Sequence, residues 1–320
     1  MAEAPDEVRD GVPLTHLDQA LWSGDTVTKR ALVDYLDGVA DRLLPALRGR
    51  PLSVVRARGD QRFMQKNVPR GAPGWLATVT FWAESSHRDV HYALCDDRAS
   101  LLWFANQRAV EYHVPLVTAA DPATPTHLVL DLDPPDADAF PAVVTAARLV
   151  RATLREAGLD PAVKTSGAKG LHVVAPLAPA AFDDVAAATR AVAARAERRD
   201  PETTTSAFLK DDRGGKVFLD ATRSGGATVV AAYSPRLRPG LPVSCPLDWD
   251  ELDDVRPAEI TVATAPARVA GAPTWTERLG EPRALPADLV EEGHAIPVAR
   301  VAAMHEGKRR ARARRDAPGA

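Results

Sequence analysis

The stretch His127-Leu128-Val129-Leu130-Asp131-Leu132-Asp133-Pro134-Pro135 constrains this chain more than any other. Residues 128–130 are apolar and branched, as in a buried strand, and two consecutive prolines end the run. Side chains alternate along a strand, so Asp131 and Asp133 share one face while Leu132 points into a core. At about 3.3 Å of rise per residue, the two aspartates stand roughly 6–7 Å apart along the strand. Carboxylates so close repel each other, and one would hold its proton unless a cation lies between them. Hard oxygen donors suit Mg²⁺ or Mn²⁺, and two such ions are a recurring device for phosphoryl transfer. The plain alternative is a strand end with two solvated aspartates before a turn.

Two further stretches bear on that choice. In Ser166-Gly167-Ala168-Lys169-Gly170-Leu171-His172 the glycines let backbone N–H groups turn toward an anion. Lys169 adds a point charge, and Ser166 and His172 add donors. The combination suits a triphosphate, and equally a tight hairpin with a surface lysine; the spacing of a P-loop is absent. Val217-Phe218-Leu219-Asp220 is another apolar strand ending in a carboxylate, followed by Arg223. A site for two metals commonly draws on three acidic groups, and this strand can stand beside the Asp-Leu-Asp strand in one sheet.

The hydrophobic pattern places these stretches in an α+β fold. A helix is expected over 29–47, where Leu32, Leu36, Val39, Leu43 and Leu47 recur at helical spacing after the cap choices of residues 25–28. Strands are expected near 52–56, 76–82 and 90–95, then a helix over 101–112. After the Asp-Leu-Asp strand come a helix over 140–157 capped by Asp138, strands at 162–165 and 171–175, and an Ala-rich helix over 182–198. Residues 217–220 and 228–232 look like a hairpin around Ser224-Gly225-Gly226. Strand–helix–strand–strand–helix–strand is the ferredoxin-like order, an antiparallel sheet with helices on one face. The expected organisation is one domain over 1–300: a mixed N-terminal module (14–115), a catalytic core (116–255) and a Pro-rich extension (256–300) with a weak helical pattern near 286–304. A basic tail without an apolar stripe, 301–320, should be disordered alone.

Net charge narrows the partners. The chain carries −3 overall, but one Lys and five Arg against two acids give residues 305–320 a local +4, which leaves −7 on the rest. A nucleic-acid surface on the body must therefore be a local patch. Apolar content of 45 % and charged content of 26 % are those of an ordinary globular protein. No run approaches a membrane span, residues 1–10 do not read as a signal peptide, and two cysteines cannot build a disulfide framework, so the cytoplasm, including the nucleoid, is the expected location. Cys95 and Cys245 read as small buried hydrophobes. His87, His91, His294 and His305 have no metal-ligand spacing, and the six tryptophans are expected to pack in the core or at its edge.

The order Asp-Leu-Asp, Ser-Gly-x-Lys-Gly-x-His, then three apolar residues and Asp-x-x-Arg resembles the archaeo-eukaryotic primase (primase–polymerase) superfamily. Within it the chain is most similar to the polymerase domain of bacterial DNA ligase D and its stand-alone relatives. The likeness runs over about 12–255 and includes Trp75-Leu76, Ala105-x-x-x-Ala109-x-Glu111-x-His113, Ala231-Ala232-Tyr233-Ser234-x-Arg236 and Pro246-Leu247-x-Trp249. It implies a primase–polymerase fold and a nucleotidyltransferase that adds nucleotides to a primer 3′-hydroxyl on DNA with two Mn²⁺ or Mg²⁺ ions. The setting it implies is short gap filling or end extension in repair such as non-homologous end joining, with NTP or dNTP as substrate, and gapped or broken DNA, Ku and a separate ligase as partners. No Lys-x-Asp-Gly motif occurs, so this chain is not expected to seal nicks.

Roles carry over by position. The resemblance gives Asp131, Asp133 and Asp220 the metals, and Ser166, Lys169 and His172 the triphosphate. It places His113, Arg223 and Arg236 along the nucleotide pocket. Phe63 falls where relatives stack an aromatic ring on the template base, although Met64 departs from the aromatic pair often found there; Arg56 and Lys66 are further candidate DNA contacts. For a 5′-phosphate across a gap, relatives use an Asn and two Lys, where this chain has His16, Gln19 and Lys29. Two other readings stand beside this one. A haloacid-dehalogenase-type phosphatase also begins with Asp-x-Asp after an apolar strand, but would want Thr or Val where Pro135 stands. A catalytically silent module could keep the fold to hold DNA ends.

Overall fold

The computed structural model describes residues 4–22, 26–59, 61–83 and 87–298. A short ribbon, β1 (Glu7–Arg9) and β2 (Val12–Leu14), precedes α1 (Lys29–Gly38) and α2 (Ala40–Leu47). The five apolar residues expected on one long helix are all buried. The helix itself is broken at Val39, whose ψ of 9° leaves the α region. Thr28 caps α1, its hydroxyl accepting from the Ala31 N–H.

Next come β3 (Ser53–Arg58), β4 (Gln61–Gln65), the separate ribbon β5 (Thr78–Ala83) and β6 (Arg88–Ala93), α3 (Arg98–Asn106) and β7 (Ala109–Val114). The helix expected over 101–112 therefore stops at Asn106. Arg108 takes φ +58°, which ends the helix, and Ala109–Val114 runs as a wholly buried strand. Strand β4 had no forerunner in the sequence reading, because it is exposed along nearly its whole length and shows no apolar alternation. Trp75 and Trp82 are 52 % and 55 % exposed, so neither is the packing residue expected of it, whereas Trp275 is buried.

The second half contributes β8 (His127–Asp133), α4 (Phe140–Glu156), β9 (Ala162–Thr165), β10 (Leu171–Pro176), α5 (Phe182–Arg199), β11 (Thr204–Thr205), β12 (Val217–Asp220), β13 (Val229–Val230) and β14 (Pro246–Leu247). Six of these form one sheet in the order β11-β12-β8-β10-β9-β14. Its four inner strands have the ferredoxin-like order, antiparallel throughout; only the β11–β12 pair is parallel. Leu128, Leu130 and Leu132 are fully buried, as are Val143, Ala147, Val150 and Leu154 of α4 and Val185, Ala188 and Val192 of α5. Each buried Leu or Val stabilises the layer by about 1.5–3 kcal/mol.

Two local expectations are corrected. Ala139, not Asp138, is the N-cap of α4, and it makes no side-chain cap bond. Asp136 instead shapes the turn before the helix, its Oδ1 accepting from the Asp138 and Ala139 N–H groups. The 217–232 segment is not a hairpin: β12 pairs with β8, while β13 joins the other sheet, β13-β7-β3-β4. A 3₁₀ turn, Thr222–Gly225, carries the chain from one sheet to the other.

The Pro-rich extension forms α6 (Ala265–Val269), α7 (Trp275–Leu279) and α8 (Ala287–Ala295), so the helix expected near 286–304 ends at Ala295. Helix α8 lies on α5 so closely that a Cβ at Gly293 would fall 1.9 Å from the Ala187 carbonyl oxygen. Arg195 pairs with Asp288 and Glu292, and Arg198 with Glu292. The basic tail and His305 lie outside the described residues. Cys95 and Cys245 are free and buried. No described helix is long and apolar enough to cross a membrane.

Candidate active site

Strand register sets the site. Asp131 stands opposite Asp220 on one side and His172 on the other, and His172 stands opposite Lys164. Four polar side chains thus form one row across β12, β8, β10 and β9, at the roughly 4.8 Å spacing of neighbouring strands. Alternation puts this row on the face away from α4 and α5, with Asp133 two residues further along β8. Four of the five groups (Asp131, Asp220, His172 and Lys164) are buried outright, with exposures of 8 % or less.

Asp131, Asp133 and Asp220 each offer an oxygen within 4.8 Å of the other two. Arg223 Nε donates to Asp131 Oδ2 at 3.1 Å and lies 3.8 Å from Asp220 Oδ2. Asp220 Oδ1 accepts from the Thr222 N–H, which fixes its carboxylate. Asp131 Oδ1 is buried without a hydrogen-bond partner; His172 Nε2 is 3.2 Å away but off the line of a good bond. An orphaned carboxylate oxygen among three converging acids is what a hard divalent cation would satisfy, so the residues present fit one.

The charges are unevenly held. Burial works against ionising Asp131, but His172 and Arg223 outweigh it and hold its carboxyl well below the usual range. Burial, reinforced by Asp131 and Asp220, pushes Asp133 up to about 6. Burial and the neighbouring Lys164 bring His172 down to about 4, so its ring is neutral at neutral pH. Burial brings Lys164 down to about 7, against the pull of Asp131.

The Ser166–His172 turn closes over the end of β8. Ser166 Oγ accepts from the Ala168 and Gly170 N–H groups, and Lys169 Nζ donates to the Pro135 carbonyl. A Cβ on Gly170 would sit 2.1 Å from the Leu132 carbonyl oxygen, and one on Gly167 would meet Arg236 Cγ at 2.6 Å. Gly170 is therefore required for close approach to the carboxylate strand, and Gly167 for approach to Arg236 and the Val243–Ser244 backbone, besides any anion binding. On the facing sheet, Glu111 Oε2 accepts from His113 Nε2 at 2.8 Å and Arg236 Nε at 2.9 Å, while Oε1 accepts from the Leu237 N–H. Arg236 also donates to the Ser166 carbonyl at 2.7 Å. Burial would raise the Glu111 pKa, but the His113 bond and the charge of Arg236 hold it down at about 2. So β7, through Glu111, anchors His113, Arg236 and the Ser166 turn together.

The remaining candidates lie elsewhere. Phe63 is 39 % exposed on β4 beside Met64, with the Arg56 guanidinium 5.6 Å from its ring centre. Arg56 also donates to the Gln107 carbonyl and to Gln65 Oε1. Lys66 follows directly on β4. Lys29 is only 2 % exposed, and its Nζ donates to the Thr15 carbonyl. His16 takes φ +53° in the same turn. Gln19 Oε1 accepts from Arg108 Nη2 at 2.6 Å. Two residues of this kind, Lys164 and Arg108, escaped the sequence reading, and Glu111 entered it within the Ala105–His113 pattern without a role. Lys164 looked like any lysine on a short strand, Glu111 fell inside an expected helix, and Arg108 had no motif around it.

The family described as the LigD primase-polymerase domain matches residues 28–275. The multifunctional non-homologous end joining DNA repair protein LigD of Mycobacterium tuberculosis is 35 % identical over 283 residues, covering 84 % of this chain and 37 % of that protein. The bifunctional non-homologous end joining protein LigD of Bacillus subtilis is 33 % identical over 269 residues, covering 82 % and 43 %. The chain thus spans less than half the length of these curated relatives. Among solved structures, the polymerase domain from Mycobacterium tuberculosis ligase D in complex with DNA matches with a TM-score of 0.78 and 34 % identity, covering 84 % of this chain and 97 % of that one. No feature of this match favours the phosphatase reading. With the match covering most of its length, and with three carboxylates meeting on a ferredoxin-like sheet, this chain belongs to the LigD primase-polymerase domain family.

Proposed function

We propose that this chain is a template-directed nucleotidyltransferase that extends a primer 3′-hydroxyl with NTP or dNTP, filling short gaps or extending broken DNA ends in non-homologous end joining. The observation that carries the reading is the convergence of Asp131, Asp133 and Asp220 within 4.8 Å, beside an orphaned oxygen, in a member of this family. Divalent ions, Mn²⁺ or Mg²⁺, held by these three carboxylates would supply the charge that acidifies the attacking hydroxyl and neutralises the leaving pyrophosphate.

The chain's own groups do the rest. Asp131 and Asp133 present oxygens from one strand face, and the Thr222 N–H fixes the Asp220 carboxylate toward them. Ser166, Lys169 and His172 face the triphosphate from the glycine turn, with Arg223 and Arg236 adding fixed positive charge along its path. His113 is held to Glu111 on the facing strand and lines the nucleotide side. Phe63 stacks on the template base, and Arg56, Lys66, His16 and Gln19 lie along the DNA, while the buried Lys29 ties down the Thr15 carbonyl beside His16. The setting is the cytoplasm at the nucleoid, with Ku and a DNA ligase as partners.

Primer extension on gapped DNA with Mn²⁺ or Mg²⁺ tests the proposal. The parent should add nucleotides and Asp131→Ala should add none while still binding gapped DNA. A parent that binds ends but never extends them would decide for the silent module.

A further inference from the structure

Lys164 is 2 % exposed, and its ammonium touches three groups: Ser244 Oγ at 2.7 Å, His172 Nδ1 at 2.8 Å and the Val230 carbonyl at 3.1 Å. The carbonyl can only accept. The Ser244 hydroxyl donates its own hydrogen to the Thr165 carbonyl at 2.8 Å, so it too accepts from Lys164. That leaves the third N–H of the ammonium for Nδ1 of His172. Across the ring, Nε2 stands 3.2 Å from Asp131 Oδ1. With Nδ1 accepting from Lys164, the hydrogen of a neutral ring sits on Nε2; since Nε2 lies off the line of a good bond to Oδ1, Asp131 does not hold it there alone. The lysine therefore selects the tautomer.

We propose that Lys164 is a positioning residue that locks His172 as a neutral Nε2–H donor and aims it into the cleft at the triphosphate. The inference rests on the reading of His172 as a triphosphate contact. A histidine without this support could rotate or exchange its ring hydrogen between nitrogens, and would present a donor only part of the time. A donor fixed beforehand needs no rearrangement when the nucleotide arrives. Lys164 is not itself placed against the substrate, because all three of its donors are engaged.

The test uses the full chain labelled with ¹⁵N-histidine, free of metal and held near pH 6, below the Lys164 pKa of about 7, so that the ammonium keeps its third hydrogen. Ring-nitrogen NMR signals of His172, assigned by their loss in His172→Gln, should show Nε2 protonated and Nδ1 bare in the parent. Lys164→Met, similar in size but without a donor, should average the two nitrogens. Lys164→Gln, whose amide can still donate to Nδ1, should restore the parent pattern. Binding of a non-hydrolysable NTP analogue with Mg²⁺ should weaken about tenfold in Lys164→Met and less in Lys164→Gln. In extension assays KM should rise more than kcat falls. Should Lys164→Met not fold, the parent and Lys164→Gln spectra still decide. A parent ring protonated on Nδ1, or a Lys164→Met ring fixed on Nε2 as in the parent, overturns the proposal. The parent's own nucleotide binding is a separate readout: if absent, the polymerase reading fails, and with it the purpose assigned to the lock, whatever the ring signals show.

Discussion

Replacing Asp133 by Asn should make the metal-free protein more stable. Asp133 is ionised above about pH 6 in the folded chain, against about 3.9 for an unfolded aspartate. Its carboxyl therefore binds a proton more tightly when folded, so stability is highest below about pH 4, declines between 4 and 6, and is flat above. Two pKa units correspond to about 3 kcal/mol of cost at neutral pH. Asn keeps the shape and removes the charge but still buries an amide, so a net gain of about 1–3 kcal/mol is expected at pH 7.5. For a chain of this size the unfolding entropy is on the order of 0.7 kcal/mol per degree, so the melting temperature should rise about 2–4 °C in EDTA. At pH 4 the gain should vanish, since the parent carboxyl is then protonated as well. Mn²⁺ should reverse the order. At a hundredfold excess over Kd it stabilises the parent by about 2.7 kcal/mol, and it should help the variant far less. Urea denaturation with and without EDTA at the two pH values gives all four numbers. A variant less stable than the parent in EDTA at pH 7.5, or a gain undiminished at pH 4, would refute the electrostatic argument.

Three further outcomes are expected. Glu111→Gln should cost about 3 kcal/mol, because Arg236 and His113 lose a buried anionic partner. The Glu111 carboxyl is held at about 2 against about 4.3 unfolded, so its stabilisation is present above pH 4.3 and lost as pH falls toward 2. Urea melts of the variant should accordingly be less acid-sensitive over that range. Gly170→Ala should lose about 2–3 kcal/mol, since its Cβ would press on the Leu132 carbonyl rather than on a movable side chain; an unchanged urea midpoint would contradict this. The chain should discriminate weakly between gapped DNA with a 5′-phosphate and with a 5′-hydroxyl, and Gln19→Lys should raise that preference about tenfold. Strong preference in the parent that disappears in Arg108→Gln would instead give the role to the arginine beside Gln19.

How much of this could be read from the sequence depended on local signal. The carboxylate strand was legible because Leu128–Leu132 alternate with Asp131 and Asp133 and two prolines close the run. The ferredoxin-like order followed because α4 and α5 carry clear apolar stripes. Lys164 stayed hidden because its ammonium finds its acceptors on residues distant in sequence, Val230 and Ser244. Glu111 was misplaced because Leu101, Leu102, Phe104 and Ala105 run straight into another buried stretch. Only the left-handed Arg108 separates helix from strand there, and no residue type announces it. Strand β4, which carries Phe63, is held by backbone pairing to β3 along an exposed edge, so its side chains leave no period to read. The false hairpin over 217–232 arose because two short apolar runs around glycines look alike whether they pair with each other or with distant strands.

The two ends of the six-stranded sheet bear on how the protein behaves when crowded. Each outer strand has only two residues, Thr204–Thr205 at one side and Pro246–Leu247 at the other. Too few backbone groups remain in line to template the strand of a second molecule, and Pro246 has no N–H to offer. The sheet that carries the carboxylates is thus shielded from edge-to-edge aggregation. The other sheet ends in β4, a longer exposed edge of five residues. Its polar and basic side chains, Gln61, Arg62 and Gln65, discourage stacking without removing the free backbone groups. When many copies are concentrated together, unwanted pairing at these two larger sheets should therefore begin beside Phe63 and leave the carboxylate sheet intact.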